Sequence, residues 1–276
     1  MLRALRVELR KLAAQRGTYA GFVVFAALIG LIVYGMWRHG PGDWRMNELG
    51  GRDMLVAGDA TTGPFVMQFI LPAAMEVLLP LLIAAIAGGL IASEMRAGTI
   101  RTMLVRPITR LDLLTAKLGA AWVYTIVLCG FVIVLGAVLC RLVFGAGDMI
   151  SVMAHGVVIF SYEEALGRLG FACVLAVAGR LVIAEIALMF SCLFDNGLTA
   201  AALTVASLMV FGALEQIPYF ESWRPYFLTW QLSIYHLPFE ADIDWPLFWQ
   251  RLWGLGVYSV GAYVLAAASL LRRDIS

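Results

Sequence analysis

A stretch of about 20 apolar residues is long enough to cross the hydrocarbon core of a bilayer. This chain carries six runs of roughly that length, at residues 19–37, 65–93, 118–143, 169–193, 198–214 and 249–271. None alternates apolar and polar residues with the two-residue period of a membrane barrel strand. The expected fold class is therefore an all-α membrane protein with six transmembrane helices. Composition agrees: 62% of the 276 residues are hydrophobic and 14% charged, against about 45–50% and about 25% in soluble domains. That balance excludes a disordered chain and a disulfide-stapled secreted module. The net charge of +1 supplies no field to attract nucleic acid.

The first run follows a basic segment, but it is longer than the apolar core of a signal peptide and no A-x-A site follows it. It reads as an uncleaved first helix. The second run contains Pro72, Pro80, Gly88 and Gly89. Proline removes a backbone donor and bends a helix, and paired glycines let a second backbone come close. A bent helix inside a bundle is expected. Asp195-Asn196-Gly197 between runs four and five is a tight-turn signal. With six spans both termini share one side. That side holds twelve basic residues and the other, with its longer segments, six, so the basic count places both termini in the cytoplasm of an inner-membrane protein.

The joints differ in character. In segment 1–17, Leu2, Leu5, Leu9 and Leu12 recur at helical spacing, with Arg3, Arg6, Arg10 and Lys11 mostly off that stripe. This is the pattern of an amphipathic helix lying on a lipid surface. Segment 94–117 mixes charges with Ile100, Met103, Leu104, Ile108, Leu111 and Leu114, and an apolar face at a water boundary has to meet lipid or a partner. Gly98 and Pro107 bracket a stretch of about two turns, and Thr109 is placed to cap the next helix. The outer segment at 38–63 is glycine-rich with mixed charge and reads as a mobile or partner-binding loop. The outer segment at 216–248 is dense in Phe, Tyr and Trp, as at a water–lipid boundary.

Three ionisable residues fall inside the runs: Glu76, Arg180 and Glu185. Such residues usually face a bundle interior or an aqueous path. Arg180 and Glu185 are five apart, on different faces of one helix, and make poor partners for each other; Arg180 is expected to reach Glu76 or a partner subunit. They are candidates for a transport path or a structural ion pair. The sequence shows no nucleophile–base set. His39, His155 and His236 share no metal-ligand spacing. Cys129, Cys140, Cys173 and Cys192 form no C-x-x-C pair and read as small hydrophobes. No P-loop motif occurs, so the chain is not expected to bind nucleotide or to be an enzyme.

Glu94, Gly98-Thr99, Arg101, Leu104, Arg106-Pro107-Ile108-Thr109-Arg110 and Lys117 together resemble the segment between the second and third spans of ABC-2-type permeases. These are membrane subunits of ATP-binding-cassette transporters. The resemblance is supported by the basic N-terminal helix, which matches that family's elbow helix, by the six spans and by the short joint between spans four and five. It implies that a coupling helix in 94–117 docks in a groove of an ATP-binding subunit, a role that falls on Glu94, Gly98, Thr99, Arg101, Leu104, Pro107, Thr109 and Arg110. It implies a second permease copy or homologue, with ATP and Mg held by the partner ATPase and no cofactor in this chain. It favours export of a lipophilic or amphipathic compound. The outer segments exceed those of the plainest members, which keeps open a subunit that passes ATP-driven motion to a periplasmic or surface partner. A secondary transporter using Glu76, Arg180 and Glu185 is the reading from another class.

Overall fold

The computed structural model describes residues 2–39, 62–98, 109–153 and 156–272. Thr99, Arg101, Leu104 and Pro107, most of the outer segment at 38–63, and the helix expected between Gly98 and Pro107 lie outside them.

Helix α1 (Leu2–Ala14) precedes α2 (Arg16–His39), the first span. The second span runs through α3 (Gly63–Ala73), a π turn (Ala74–Leu78) and α4 (Leu79–Arg96). The third span is α5 (Arg110–Phe144). A two-stranded antiparallel hairpin follows, β1 (Met149–Met153) with β2 (Gly156–Phe160), pairing Met149 with Phe160 and Met153 with Gly156. The fourth span is α6 (Tyr162–Leu193) and the fifth α7 (Gly197–Glu215). Two 3₁₀ segments, Pro218–Tyr226 and Ser233–Phe239, flank the short α8 (Leu228–Leu232), and α9 (Trp245–Arg272) is the sixth span. The chain is thus an all-α membrane protein of six transmembrane helices, with, among the described residues, one small strand pair between the third and fourth.

The π turn sits where the prolines place it. Pro72 and Pro80 each lack the donor that would bond four residues back, and the widened turn between them takes up the mismatch. Helix α6 is the axis of the bundle: 67% of its most apolar stretch is buried, against 17% for α7 and 22% for α2 and α9. The outer faces of those peripheral spans are apolar and bare, with Leu31, Leu198, Met209 and Trp253 largely exposed, as lipid or a second copy would require. The α6–α7 turn is as short as expected, Asn196 capping α7 by accepting from Leu198 N at 3.1 Å. Gly88 and Gly89 bring α4 against the start of α7. A Cβ on Gly88 would lie 3.0 Å from Ala201 N, and one on Gly197 2.9 Å from Gly89 Cα.

Several helices outrun the apolar stretches that mark them. Helix α5 starts at Arg110 rather than 118, and α6 at Tyr162 rather than 169. The added turns hold Lys117 and Arg168, which hydropathy assigns to water, but both find acceptors inside the protein. The aromatic segment 216–248 also divides. Tyr235, Ile234 and Phe239 are buried on the bundle beside α6, while Tyr219, Trp223 and Tyr226 remain exposed. Only the exposed set fits a simple interfacial anchor.

Candidate functional site: the termini end and the buried charges

The two termini lie at one end of the bundle. There the apolar stripe of α1 is interrupted by Glu8, one turn from Leu5 and Leu12. Lys117 of α5, fully buried, contacts Glu8 Oε2 at 3.1 Å, Glu94 Oε2 at 2.7 Å and the Leu90 carbonyl at 2.7 Å. Lys11 contacts Glu8 Oε1 at 2.8 Å and Glu94 Oε1 at 2.9 Å. Two ammoniums and two carboxylates form a closed, neutral quartet, each charge touching both opposite ones. Burial pushes the Glu8 carboxyl up, but Lys117 and Lys11 outweigh it and hold Glu8 below the usual carboxylate range. Burial pulls Lys11 down, but its bonds to Glu8 and Glu94 leave it raised. The quartet fastens α1 to both helices that flank residues 97–109.

The remaining described residues of that joint are structurally defined. Gly98 takes φ +67° just past the end of α4, its N–H donating to Met95 O at 3.0 Å. This left-handed position suits glycine. Thr109 caps α5, its Oγ1 accepting from Asp112 N at 3.1 Å, as the sequence leads one to expect. Arg110 Nη1 donates to Leu270 O at 3.0 Å and Leu271 O at 3.2 Å, closing the carboxyl end of α9, where a cation is favoured. Ser191 Oγ of α6 accepts from Ile91 N and Ala92 N at 3.0 and 2.9 Å. The ends of spans two, three, four and six and helix α1 are therefore pinned through polar contacts.

Deeper in the bundle, the structure groups two of the three span charges. Tyr235 Oη donates to Glu76 Oε1 at 3.1 Å, and His236 Nε2 lies 3.6 Å from the same oxygen. The Arg180 guanidinium stands 5.8 Å from the centre of the Tyr235 ring, near enough to Glu76 to feel its charge. Burial, then the neighbouring Glu76, pushes the Tyr235 phenol up, so it remains a proton donor. Glu185 does not join them; it faces Ser259 of α9 and Trp122 of α5. Neither Tyr235 nor His236 is singled out by the sequence, because only the fold of the 3₁₀ segment carries them to Glu76. Glu8 is the other residue missed, and its signal was legible: an acid on the apolar stripe of a basic helix. Among the described residues no cluster of His, Cys, Asp and Glu has the arrangement to hold a metal ion.

Opposite the termini, the hairpin and the 3₁₀ segments form a cap. Arg168 donates to Pro238 O, Glu240 O and Ala241 O at 3.0, 2.5 and 3.1 Å and lies over the Phe160 ring at 4.1 Å. Gln68 Nε2 reaches Ile150 O at 2.8 Å, and Ser151 Oγ reaches Phe239 O at 3.3 Å.

Comparison with known proteins agrees with this architecture. The family model described as "ABC-2 family transporter protein" matches residues 6–221, from within α1 through all of the first five spans. A relative, the uncharacterized protein YhcI of Bacillus subtilis (strain 168), is 24% identical over 223 residues, covering 78% of this chain and 71% of that protein. Permeases of the matched family typically dimerise and work with an ATPase subunit, and they are not themselves catalytic. Six apolar helices, a helix docked at the termini end and a family match over most of the length converge: the chain is an integral, multi-pass membrane protein of the ABC-2 transporter family, the permease subunit of an ABC transporter.

Proposed function

We propose that this permease exports a lipophilic or amphipathic compound across the inner membrane, paired with a second permease copy and driven by separate ATP-binding-cassette subunits that hold ATP and Mg. The basic residues concentrated at the termini end favour that end as cytoplasmic. The segment 94–117 is the coupling element, and Glu94, Gly98, Thr99, Arg101, Leu104, Pro107, Thr109 and Arg110 are the residues assigned to it. The observation that carries this reading is the quartet. A docking segment drives spans only if its two ends are stiffly attached to them, and Glu94 and Lys117 are joined to each other at 2.7 Å and to α1 through Glu8 and Lys11. A rigid unit of this kind passes a partner's rotation on as helix tilt. Arg110 extends the unit to the sixth span.

Glu76 and Arg180 belong, in this reading, to the path or to the helices that move around it. Glu185 is assigned to the α6–α9 contact. The test is purification of the tagged permease with its neighbours, followed by reconstitution in liposomes. A P-loop ATPase that co-purifies, and whose activity rises with lipophilic compounds, is the expected result. Transport driven by a proton gradient without ATP would instead establish a secondary transporter. The folded cap opposite the termini favours a second reading, transmission of work to an outer partner. In that case ATPase stimulation depends strictly on that partner.

A further inference from the structure

Two cations are buried among the described residues, Lys117 and Arg180, and they are treated unequally. Lys117 has three acceptors. Arg110, Arg168 and Arg251, only half-buried, each donate to main-chain carbonyls, although the Arg251 Nε is left without a partner. Arg180 is 3% exposed, yet it has no hydrogen-bond acceptor and no carboxylate within ion-pair distance among the described residues, and its Nε is buried without a partner. Arginine keeps its charge in proteins, so it cannot escape this position by losing a proton. A buried charge without a partner is strongly unfavourable and persists where function requires it.

The surroundings of Arg180 point to what completes it. Its guanidinium faces the Tyr235 ring, and the Tyr235 hydroxyl is held by Glu76. Glu76 is 59% exposed at its side chain and sits on the π turn, the one place where the second span departs from regular helix. Glu76 contributes charge from a distance but no hydrogen bond to the guanidinium. The unfilled donors therefore ask for an oxyanion, and a planar fork matches phosphate or carboxylate geometry. Arg180 lies within the apolar fourth span, so a ligand that brings an oxyanion to it is itself partly apolar.

We infer that Arg180 is the anchor of a binding site for the phosphate or carboxylate headgroup of an anionic amphipath, its hydrocarbon lying among the spans, with Tyr235 and Glu76 as the movable neighbours of that headgroup. This rests on the export reading and narrows its substrate class. The headgroup is supplied either by a membrane lipid or by a soluble amphipath.

The full-length permease in neutral dodecyl maltoside micelles is titrated with dodecyl phosphate, with inorganic phosphate as a second probe. No ATPase is present, so the result is independent of whether one is found. Dodecyl phosphate is expected to raise Tm saturably by about 5 °C, and inorganic phosphate to leave it unchanged. Arg180→Gln is expected to weaken the response about 100-fold while its unliganded Tm equals or exceeds wild type, because an unpaired charge has been removed. Glu76→Gln is expected to tighten binding about tenfold by removing a competing carboxylate, and it keeps the inference testable should Arg180→Gln fail to fold. Repeating the titration in phosphatidylcholine nanodiscs with and without phosphatidylglycerol separates the sources. A shift abolished by phosphatidylglycerol identifies lipid as the occupant, and one that persists identifies a soluble amphipath. An absent dodecyl phosphate shift, an equal shift with inorganic phosphate, or a Glu76→Gln chain that binds no tighter than wild type would overturn the inference.

Discussion

The quartet at the termini end and the Arg180 cluster in the bundle both place charge where water is scarce, and they resolve it in opposite ways. In the quartet every charge touches two of opposite sign, and the sum is zero. A fully satisfied polar network in a low-dielectric site rigidifies and fixes one arrangement. Around Arg180 the charges lie near one another without closing: the phenol satisfies Glu76, and the guanidinium is left over. An arrangement that is complete resists change, while one that lacks a partner responds when a partner arrives. The first suits a lever and the second a place where something binds.

Four experiments break or sharpen that contrast. The largest effect is expected from Lys117→Met, which leaves Glu8 and Glu94 with only the partly exposed Lys11 between them. Breaking a buried ionic network costs about 3–5 kcal/mol, read as lost stability in chemical denaturation of the micellar protein; a loss under about 1 kcal/mol would show that the quartet is not a rigid joint. Gly197→Leu comes next. Its Cβ alone would stand 2.9 Å from Gly89 Cα, and overpacking costs about 1–3 kcal/mol. It should lower Tm while Leu198→Ala, on the bare face, does not.

Gly98→Ala places a Cβ at φ +67°, a strain of about 1 kcal/mol. Little global stability should be lost, while ATPase stimulation through the permease falls severalfold. Equal loss of both would remove Gly98 from any coupling role. The smallest effect is that of pH on α1. Glu8 is held low, so its stabilisation is full above its unfolded value near 4.5 and disappears as pH falls through the lower folded value. Lys11 is raised, so its share is present below 10.5 and disappears as pH rises through the higher folded value. Protection factors of the α1 amides, with intrinsic exchange divided out, should therefore be highest across neutral pH and fall at both extremes, whereas α6 stays protected.

Much of this was legible in the sequence. Hydropathy located six spans, Thr109 announced its cap, Gly98 its turn, and Gly88 and Gly89 their close approach. Hydropathy could not extend α5 back to Arg110, because it counts Lys117 as solvent-facing. The carboxylate that makes Lys117 affordable in the interior comes from Glu8, 109 positions away. The same distance in sequence hides the meeting of Glu76 with Tyr235, 159 positions apart. The hairpin at Met149–Phe160 leaves no such mark, because strands of five residues are too short to set a period of their own between two long apolar spans. Arg180 and Glu185 were rightly separated by helical geometry alone.

The seam between α4 and α7 carries a mechanical consequence. Where Gly88, Gly89 and Gly197 meet, main chain lies against main chain. Interlocked ridges hold most helix pairs at set angles, and at this point of the seam there is no side chain to interlock. A contact made by main chain alone has no rotamer to flip and no knob to unseat. The fifth span thus meets the second backbone to backbone, close beside the block that the quartet ties together.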